Sequence, residues 1–231
     1  MNRHPRPVAH ARHALVLAAV AALAGCAQTF PVQGLSADEK AFEKTLLAER
    51  ASDARVALGQ LYFTHNLVDE ADAVLEPLVA AEPQNAQALA WYGANNCKKA
   101  AARGPWLMGM DKLYMVKQCL AQTDKALALA PADFTVQMVQ MNTGLEVDKF
   151  GSMERANKTR AQLETQIAAA PQALPGEALA QFYVTAARIE RKLGNAAAAA
   201  SNLDRATRVA STPDTRQSID SERKLLASSK G

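Results

Sequence analysis

Residues 55–83 read RVALGQLYFTHNLVDEADAVLEPLVAAEP, and this stretch decides the fold. It opens with Leu58-Gly59-x-x-Tyr62 and closes at Pro83, which stops a helix because proline cannot continue one. Asn66 stands between the two halves and suits the left-handed residue that ends a helix. The stretch therefore predicts two helices joined by a tight turn. No strand-like alternating run of useful length appears in the chain, so the sequence predicts an all-α fold.

The spacing within this stretch resembles the tetratricopeptide repeat (TPR), whose pattern is L-G-x2-Y, then a small residue, a large one and a proline. Gly59 and Ala71 are twelve residues apart, as in that family. The resemblance implies that they face each other where the two helices approach closely. Two positions depart from the pattern: Arg55 stands where the family has tryptophan, and Pro77 lies inside the second helix and should kink it.

Similar helix endings recur at Pro83, Pro131, Pro171 and Pro213. The first two steps are 48 and 40 residues, against about 34 in the TPR consensus, so the repeats are expanded and irregular. An insertion around residues 103–106 lengthens the second unit. The resemblance implies a right-handed solenoid of about four irregular helical hairpins. Thr212, as N-cap, and Pro213 then begin a capping helix, on which the run Glu222-Arg223-Lys224 is expected to face solvent.

The N-terminus has the three parts of a secretory signal. Its apolar stretch, residues 14–25, is twelve residues long, whereas a helix needs about 20 to cross a bilayer. It ends in Leu23-Ala24-Gly25-Cys26, which resembles the lipobox of bacterial lipoproteins. The resemblance implies cleavage before Cys26 and acylation of that residue.

The sequence therefore divides into a signal peptide (1–25), a lipidated tether (26–35) and a TPR-like helical domain (36–231). Two or more acyl chains anchor a protein firmly to a membrane without spanning it. Known lipoprotein sorting retains proteins with Asp after the cysteine at the inner membrane, and here that residue is Ala27. We expect a lipid-anchored protein of the outer membrane that faces the periplasm.

Composition excludes several classes of function. The signal carries three arginines and no acid, so the mature chain has 23 basic and 23 acidic residues. The pI of 8.8 belongs to the precursor and is no sign of nucleic-acid binding. Only His65 remains after cleavage, in a turn where we expect it to be solvated. The sequence has no catalytic, phosphate-binding or metal-binding motif, and we expect no enzyme, no metal and no cofactor.

Two cysteines besides Cys26 would share an oxidising periplasm, Cys97 and Cys119. The TPR resemblance implies that Gly93 lies opposite Cys119, with Cys97 one turn further along the same face. A disulfide would close a loop of 22 residues. The one-turn offset can also leave the two residues beyond bonding reach, since their Cα atoms must lie within about 7 Å. The sequence leaves both outcomes open.

In TPR proteins the first helix of each hairpin lines a concave groove. Carried over to this chain, the family's ligand-facing positions include Gln60, Phe63, Asn142, Arg188 and Arg191. The two arginines predict a basic, exposed end of the groove that would meet an acidic segment of a partner. A second candidate surface is the apolar insertion with Trp106 and Met110, because methionine-rich surfaces adapt to partners. The alternative is that this insertion folds back and extends the core.

These features indicate a scaffold that binds an envelope protein or peptide and is held at the membrane by its lipid. The lipobox and repeats together look like a class that includes type IV pilus pilotin lipoproteins and the TPR lipoprotein of the β-barrel assembly machine. The alternative is a solute-handling accessory lipoprotein resembling the T-component of TRAP transporters. An enclosed apolar pocket or a central pore would favour that alternative, and an open groove favours peptide binding.

Overall fold

The computed structural model describes residues 30–103 and 109–228, so that Cys26 and Trp106 lie outside the described residues. This part of the chain contains ten helices and no strand. The helices are α1 (Ala37–Ala48), α2 (Ser52–Thr64), α3 (Val68–Ala81), α4 (Ala86–Ala102), α5 (Met110–Leu129), α6 (Phe134–Val147), α7 (Ser152–Ala169), α8 (Gly176–Lys192), α9 (Ala196–Val209) and α10 (Pro213–Ser228). None of them is both long and apolar enough to cross a membrane.

The helices form four antiparallel hairpins, α2–α3, α4–α5, α6–α7 and α8–α9, and the first helices of successive hairpins contact one another. Helix α1 packs on α2, and α10 packs against both α8 and α9. The helical-hairpin solenoid expected from the sequence is confirmed. Its described core comprises several buried clusters, of which the largest spans α6 to α10.

The first hairpin shows why the repeat pattern works. Asn66 ends α2 in the left-handed conformation, with φ of 59°, as predicted. Gly59 permits the close approach of the two helices, because a Cβ atom there would lie 2.5 Å from Cγ of Leu75. The three atoms nearest to this position all belong to Leu75, which lies one turn after Ala71 on α3. Helix α3 continues past Pro77 to Ala81.

Lysines connect neighbouring hairpins at their turns. Nζ of Lys98, on α4, donates to the carbonyl oxygen of Phe63 (2.6 Å) and to Oδ1 of Asn66 (2.7 Å). Nζ of Lys192, on α8, donates to the carbonyl oxygen of Leu145 (2.6 Å) and lies 3.5 Å from a carboxylate oxygen of Asp148. In each case the cation meets the carboxyl end of the first helix in the preceding hairpin. The contacts align the hairpin turns along one edge of the solenoid.

We call this the hairpin-turn edge; it carries residues 65–67, 148–151 and 193–195 together with the adjoining ends of α4 and α5. Lys117, on α5, belongs to it as well, since its Nζ lies 5.1 Å from the ring centre of Phe150. Leu193, at this edge, is 44% exposed. It ends α8 beside Gly194, whose φ of 83° turns the chain away from the core.

At the N-terminal end, α1 begins with a capping box: the Ser36 hydroxyl accepts from the Glu39 N–H, and the Glu39 carboxylate accepts from the Ser36 N–H. Glu39 also lies 2.9 Å from Nε2 of His65. The hydrogen bond from the Ser36 backbone is the largest of several effects that lower the pKa of Glu39 to about 2. His65 is buried, with 9% exposure, so the expectation of a solvated turn histidine is wrong. It holds α1 against the first hairpin.

The two cysteines lie within the second hairpin, Cys97 on α4 and Cys119 on α5. The structure places them in a disulfide with a Cα–Cα distance of 5.3 Å, inside the range of about 7 Å that a disulfide requires. Gly93 is closest to Gln122 and Thr123, not to Cys119. The register therefore differs by about one turn from the family pairing, which removes the offset that argued against a bond.

Candidate functional site

A small cavity lies near the C-terminal end of the solenoid, where α6, α8 and α10 meet. Its volume is about 200 Å³. We call it the end cavity; its lining residues are Met138, Asn142, Gln181, Val184, Thr185, Arg188, Thr215 and Ser218. Two of these residues, Asn142 and Arg188, were predicted as binding residues, and the structure brings them together here.

Asn142 ties α6 to α8 inside the cavity. Its Nδ2 donates to the carbonyl oxygen of Met138 (3.0 Å), and its Oδ1 accepts from the hydroxyl of Thr185 (3.0 Å). Thr185 is buried, so this contact fixes the position of the amide. Gln181, one turn earlier on α8, is exposed, and its amide can both donate and accept hydrogen bonds. The cavity thus presents one fixed amide and one accessible amide.

The two arginines that were expected to form a basic, exposed end of the groove are paired with a carboxylate in the structure. Arg188 and Arg191 share one partner, Glu222 on α10, with Nε–O distances of 2.9 and 3.2 Å. Glu222 is buried, and both arginines are half-buried. The pair is therefore not a pair of exposed, unpartnered cations, and Glu222 does not face solvent as expected. A buried carboxylate needs such charged partners because an unpaired buried charge is costly.

Glu177, at the start of α8, holds the beginning of α10. Its carboxylate accepts from the Ser211 N–H and hydroxyl and from the Thr212 N–H and hydroxyl, and it also accepts from the Thr215 hydroxyl. Burial by itself raises the pKa of Glu177, but these hydrogen bonds outweigh it and lower the pKa to about 2. Thr212 also caps α10, as predicted, by accepting from the Thr215 N–H (3.3 Å). The wall of the end cavity formed by α10 is thereby fixed.

The other predicted groove residues lie at the opposite end, on α2. Gln60 is exposed. Phe63 is half-buried, with its ring centre 5.3 Å from that of Trp91 and 3.7 Å from Nζ of Lys98. Desolvation lowers the pKa of Lys98 to about 8. Phe63 therefore packs between hairpins, and Gln60 is the accessible group of the two.

Met110 lies away from the groove, at the hairpin-turn edge, and is 64% exposed. Leu113 and Tyr114, which follow it on α5, are exposed as well. These three side chains therefore favour an exposed surface over the alternative, an extension of the core. Trp106 falls outside the described residues.

Sequence reasoning missed Thr185, Thr215, Ser218 and Glu222 as members of this region. For two of them, Thr215 and Glu222, the spacing of residues along α10 could have indicated burial. On α10 the buried residues are Thr215, Ile219, Glu222 and Leu226, which follow one another at steps of four, three and four. This is one face of a helix, and a glutamate on the apolar face indicates a buried cationic partner.

The geometry offers binding chemistry. No group of His, Cys, Asp or Glu that could hold a metal ion occurs among residues 30–103 and 109–228. The end cavity instead combines amides, hydroxyls and a guanidinium, which are groups that recognise peptide main chains and carboxylates.

A comparison with solved structures found a protein of similar fold. The crystal structure of a thermophilic TPR protein from Thermus thermophilus aligns with a TM-score of 0.60 over 91% of this chain and 95% of that chain. The two sequences are 16% identical, so the likeness shows the fold alone, a TPR-like helical solenoid. No family model matches the chain, and no curated protein matches it in sequence.

Proposed function

We propose that this chain is a periplasmic scaffold, anchored in the outer membrane through acylated Cys26, that binds an extended segment of an envelope protein during assembly of a complex. The observation that carries the binding role is the end cavity, where a solenoid of TPR type presents a polar pocket between its last hairpin and its cap. TPR-like solenoids are scaffolds more often than catalysts, because stacked hairpins create an extended binding surface.

The lining of the cavity fits a polypeptide ligand. Gln181 can pair with both the N–H and the C=O of a peptide unit. Arg188 uses its Nε for Glu222, and a guanidinium has four further N–H donors (five in all) with which to meet a carboxylate. Met138 and Val184 supply apolar contact for a side chain. We infer that the ligand is an extended segment that ends in, or carries, a carboxylate.

The solute-handling alternative fits the cavity less well. Sites for small molecules are mostly apolar and have volumes of about 300–1,000 Å³. The end cavity has about 200 Å³, and six of its eight lining residues are polar or charged. It is too small and too polar for a metabolite-sized ligand to be enclosed, whereas a peptide needs to insert only one side chain or its terminus.

The lipid anchor rests on Leu23-Ala24-Gly25-Cys26, and the choice of the outer membrane rests on Ala27. Labelled palmitate should be incorporated into the wild-type protein and not into Cys26→Ser. The variant should also leave the membrane fraction. Wild-type protein that takes up no palmitate would exclude the lipoprotein assignment while leaving the binding site untouched.

The binding role is tested by filling the cavity. Ser218→Phe places a ring where Ser218 lines the cavity, and Ser221→Phe makes the same change at an exposed position of α10. Each variant is purified from detergent-solubilised envelope, and the partners that copurify are quantified by mass spectrometry. Ser218→Phe should lose a partner that both the wild type and Ser221→Phe retain. An identical partner set in all three would exclude the end cavity as the binding site.

A further inference from the structure

The first turns of α5 carry an exposed amphipathic stripe. Met110, Leu113, Tyr114 and Lys117 follow one another at steps of three, one and three, so they lie on one face of the helix. All four are exposed. The opposite face of the same turns carries the half-buried Met115 and Val116 and leads to the buried Cys119. We call Met110, Leu113, Tyr114 and Lys117 the α5 stripe.

The stripe lies on a part of the second hairpin that projects beyond its neighbours. Lys98, on α4, lies at the same height as the turn of the first hairpin, because its Nζ contacts Phe63 and Asn66. Helix α4 continues from there to Ala102, about 6 Å further at 1.5 Å per residue. On the other side, Lys117 lies at the same height as the turn of the third hairpin, because its Nζ contacts the ring of Phe150 in that turn. The residues of α5 before Lys117 therefore extend past that turn.

Phe150 enlarges the stripe. It lies in the third turn with φ of 54° and is 43% exposed, and its ring is within 5.1 Å of Nζ of Lys117. Together with the α5 stripe it forms a contiguous set of exposed apolar side chains, and exposed apolar patches mark protein or membrane interaction sites. Lys117 contributes a cation that can reach outward over the apolar side chains.

The N-terminal tether leaves the domain at the same edge. The Asn66 amide donates to the carbonyl oxygen of Pro31 (2.9 Å), and the Gln33 N–H donates to the carbonyl oxygen of His65 (3.0 Å). The ring centre of Phe30 lies 5.7 Å from Nζ of Lys98. The described chain thus begins beside the base of the projecting hairpin.

The length of the tether determines what lies opposite this edge. Phe30 follows Cys26 by four positions, and a fully extended chain spans at most about 3.6 Å per residue, or about 14 Å here. An acylated Cys26 lies at the membrane surface. Phe30, beside the base of the projecting hairpin, is therefore held within about 14 Å of the bilayer, which leaves little room for a folded partner between them.

We propose that the α5 stripe and Phe150 dock on the surface of the lipid bilayer, so that the hairpin-turn edge faces the membrane and the opposite edge faces the periplasm. This proposal rests on the acylation of Cys26 proposed above. The apolar side chains insert at the level of the headgroups, where Tyr114 can keep its hydroxyl in the polar layer. In this orientation the tether leaves the domain on the side that faces the bilayer. The groove does not contact the membrane, because the α5 stripe lies away from it.

The test uses the full-length chain in cells, with a photoreactive benzophenone residue in place of Leu113 or of Leu129. Both are exposed leucines of α5, at 46% and 37%, but Leu129 ends the helix and lies at the edge opposite the hairpin-turn edge. After irradiation, mass spectrometry identifies adducts at each position and measures acylation of the N-terminal peptide. We expect phospholipid adducts at position 113 and none above background at position 129. Combining the probe at 113 with Met110→Ser and Tyr114→Ser should abolish them.

Each other outcome is informative. An acylated protein whose position 113 crosslinks to another protein, or to a second copy of this chain, overturns membrane docking and makes the stripe a protein interface. An acylated protein without lipid adducts, or with equal adducts at both positions, also overturns it. If the N-terminus is not acylated and position 113 gives no lipid adduct, the anchor has failed and docking with it. Lipid adducts at 113 without acylation would support docking independently of the anchor.

Discussion

At the N-terminal end of the solenoid, α1 buries one side chain, Leu46, and leaves Phe42 and Leu47 exposed. At the C-terminal end, α10 buries four, of which Ile219 and Leu226 join the largest core cluster. Both caps are tied down by carboxylates, Glu39 on His65 in the first case and Glu222 on two arginines in the second. The difference is in apolar burial, and hydrophobic burial is the larger source of stability.

This comparison indicates that the two caps have different roles. Helix α10 closes the end cavity, and its firm attachment keeps the cavity shape fixed. Helix α1 follows the tether, and its attachment relies on polar contacts such as the hydrogen bond from the Tyr62 hydroxyl to Glu43 (2.8 Å). We expect α10 to unfold together with the core and α1 to open separately.

The largest effect should come from truncating the C-terminal cap in the core. Ile219→Ala removes a side chain that is 2% exposed and should destabilise the protein by about 3–4 kcal/mol, because it leaves a cavity that the helices cannot fill. Urea unfolding measures the change. Leu225→Ala, at an exposed position of the same helix, serves as the control and should have little effect. Equal small losses for both variants would show that α10 is not part of the cooperative core.

Reduction of the disulfide should have the next largest effect. Opening the 22-residue loop between Cys97 and Cys119 should cost about 3 kcal/mol, mainly by freeing the unfolded chain. The bond joins α4 and α5, so its loss should leave the contrast between the two caps unchanged. Unfolding with and without reductant measures it. Cys97→Ser with Cys119→Ser should be insensitive to reductant, and two free thiols in the denatured, unreduced wild type would rule the bond out.

Reversing one charge at the C-terminal cap should cost somewhat less. Arg188→Glu brings a second carboxylate to the buried Glu222 and should destabilise by about 2 kcal/mol, below the usual loss for a broken buried pair because Arg188 is partly exposed. Thermal or urea unfolding reports the change. Arg208→Glu, exposed on α9, is the matched reversal and should cost little. A fully stable Arg188→Glu protein would show that the Glu222 pair contributes nothing to holding α10.

Truncating the N-terminal cap should have a local effect. Leu46→Ala removes the one buried side chain of α1, so it should shift global unfolding by less than about 1 kcal/mol while α1 opens more often. Hydrogen–deuterium exchange should accelerate in residues 37–48 and remain unchanged in α8 to α10. Exchange that accelerates throughout the domain would contradict the separate opening of α1.

The smallest effect concerns pH at the C-terminal cap. The folded pKa of Glu177 is about 2, below the ordinary 4.5, so its stabilising contribution is present above pH 4.5 and declines as the pH falls towards 2. Glu177→Gln should therefore be less stable than the wild type at pH 6, and the difference should shrink at pH 3. Urea unfolding at both values tests this. Glu154→Gln, exposed on α7, controls for the loss of one charge.

The hairpins could be predicted from the sequence because their signals are local. Gly59, Asn66 and Pro83 each have a backbone reason to stand where they do, and a turn or a helix end requires nothing from distant parts of the chain. The positions of the charged side chains were not predictable in the same way. Whether Glu222 meets solvent or two arginines depends on how α10 docks, and His65 is buried only because α1 returns over it.

The candidate site shows the same division. Arg188 and Asn142 were found from the repeat pattern, which places them on the first helices of their hairpins. The side chains that surround them were not found from that pattern, since Thr215 and Ser218 line the cavity from α10, which lies outside the repeats. The sequence left open whether the apolar region around Met110 forms a surface or extends the core, and only the packing of α4 and α5 shows that its helix projects beyond the neighbouring turns.

The lysines between hairpins have a consequence for folding during synthesis, because each one contacts the hairpin that precedes it in the chain. The carboxyl end of α2 is negatively polarised, and the cation that neutralises it, Lys98, belongs to the next hairpin. Lys192 does the same for the end of α6. Each of these hairpins is therefore synthesised before the residue that completes it. A chain truncated between Ala81 and Lys98 would contain the whole first hairpin and lack its charged donor, so the first hairpin acquires this contact only after part of the second has been synthesised.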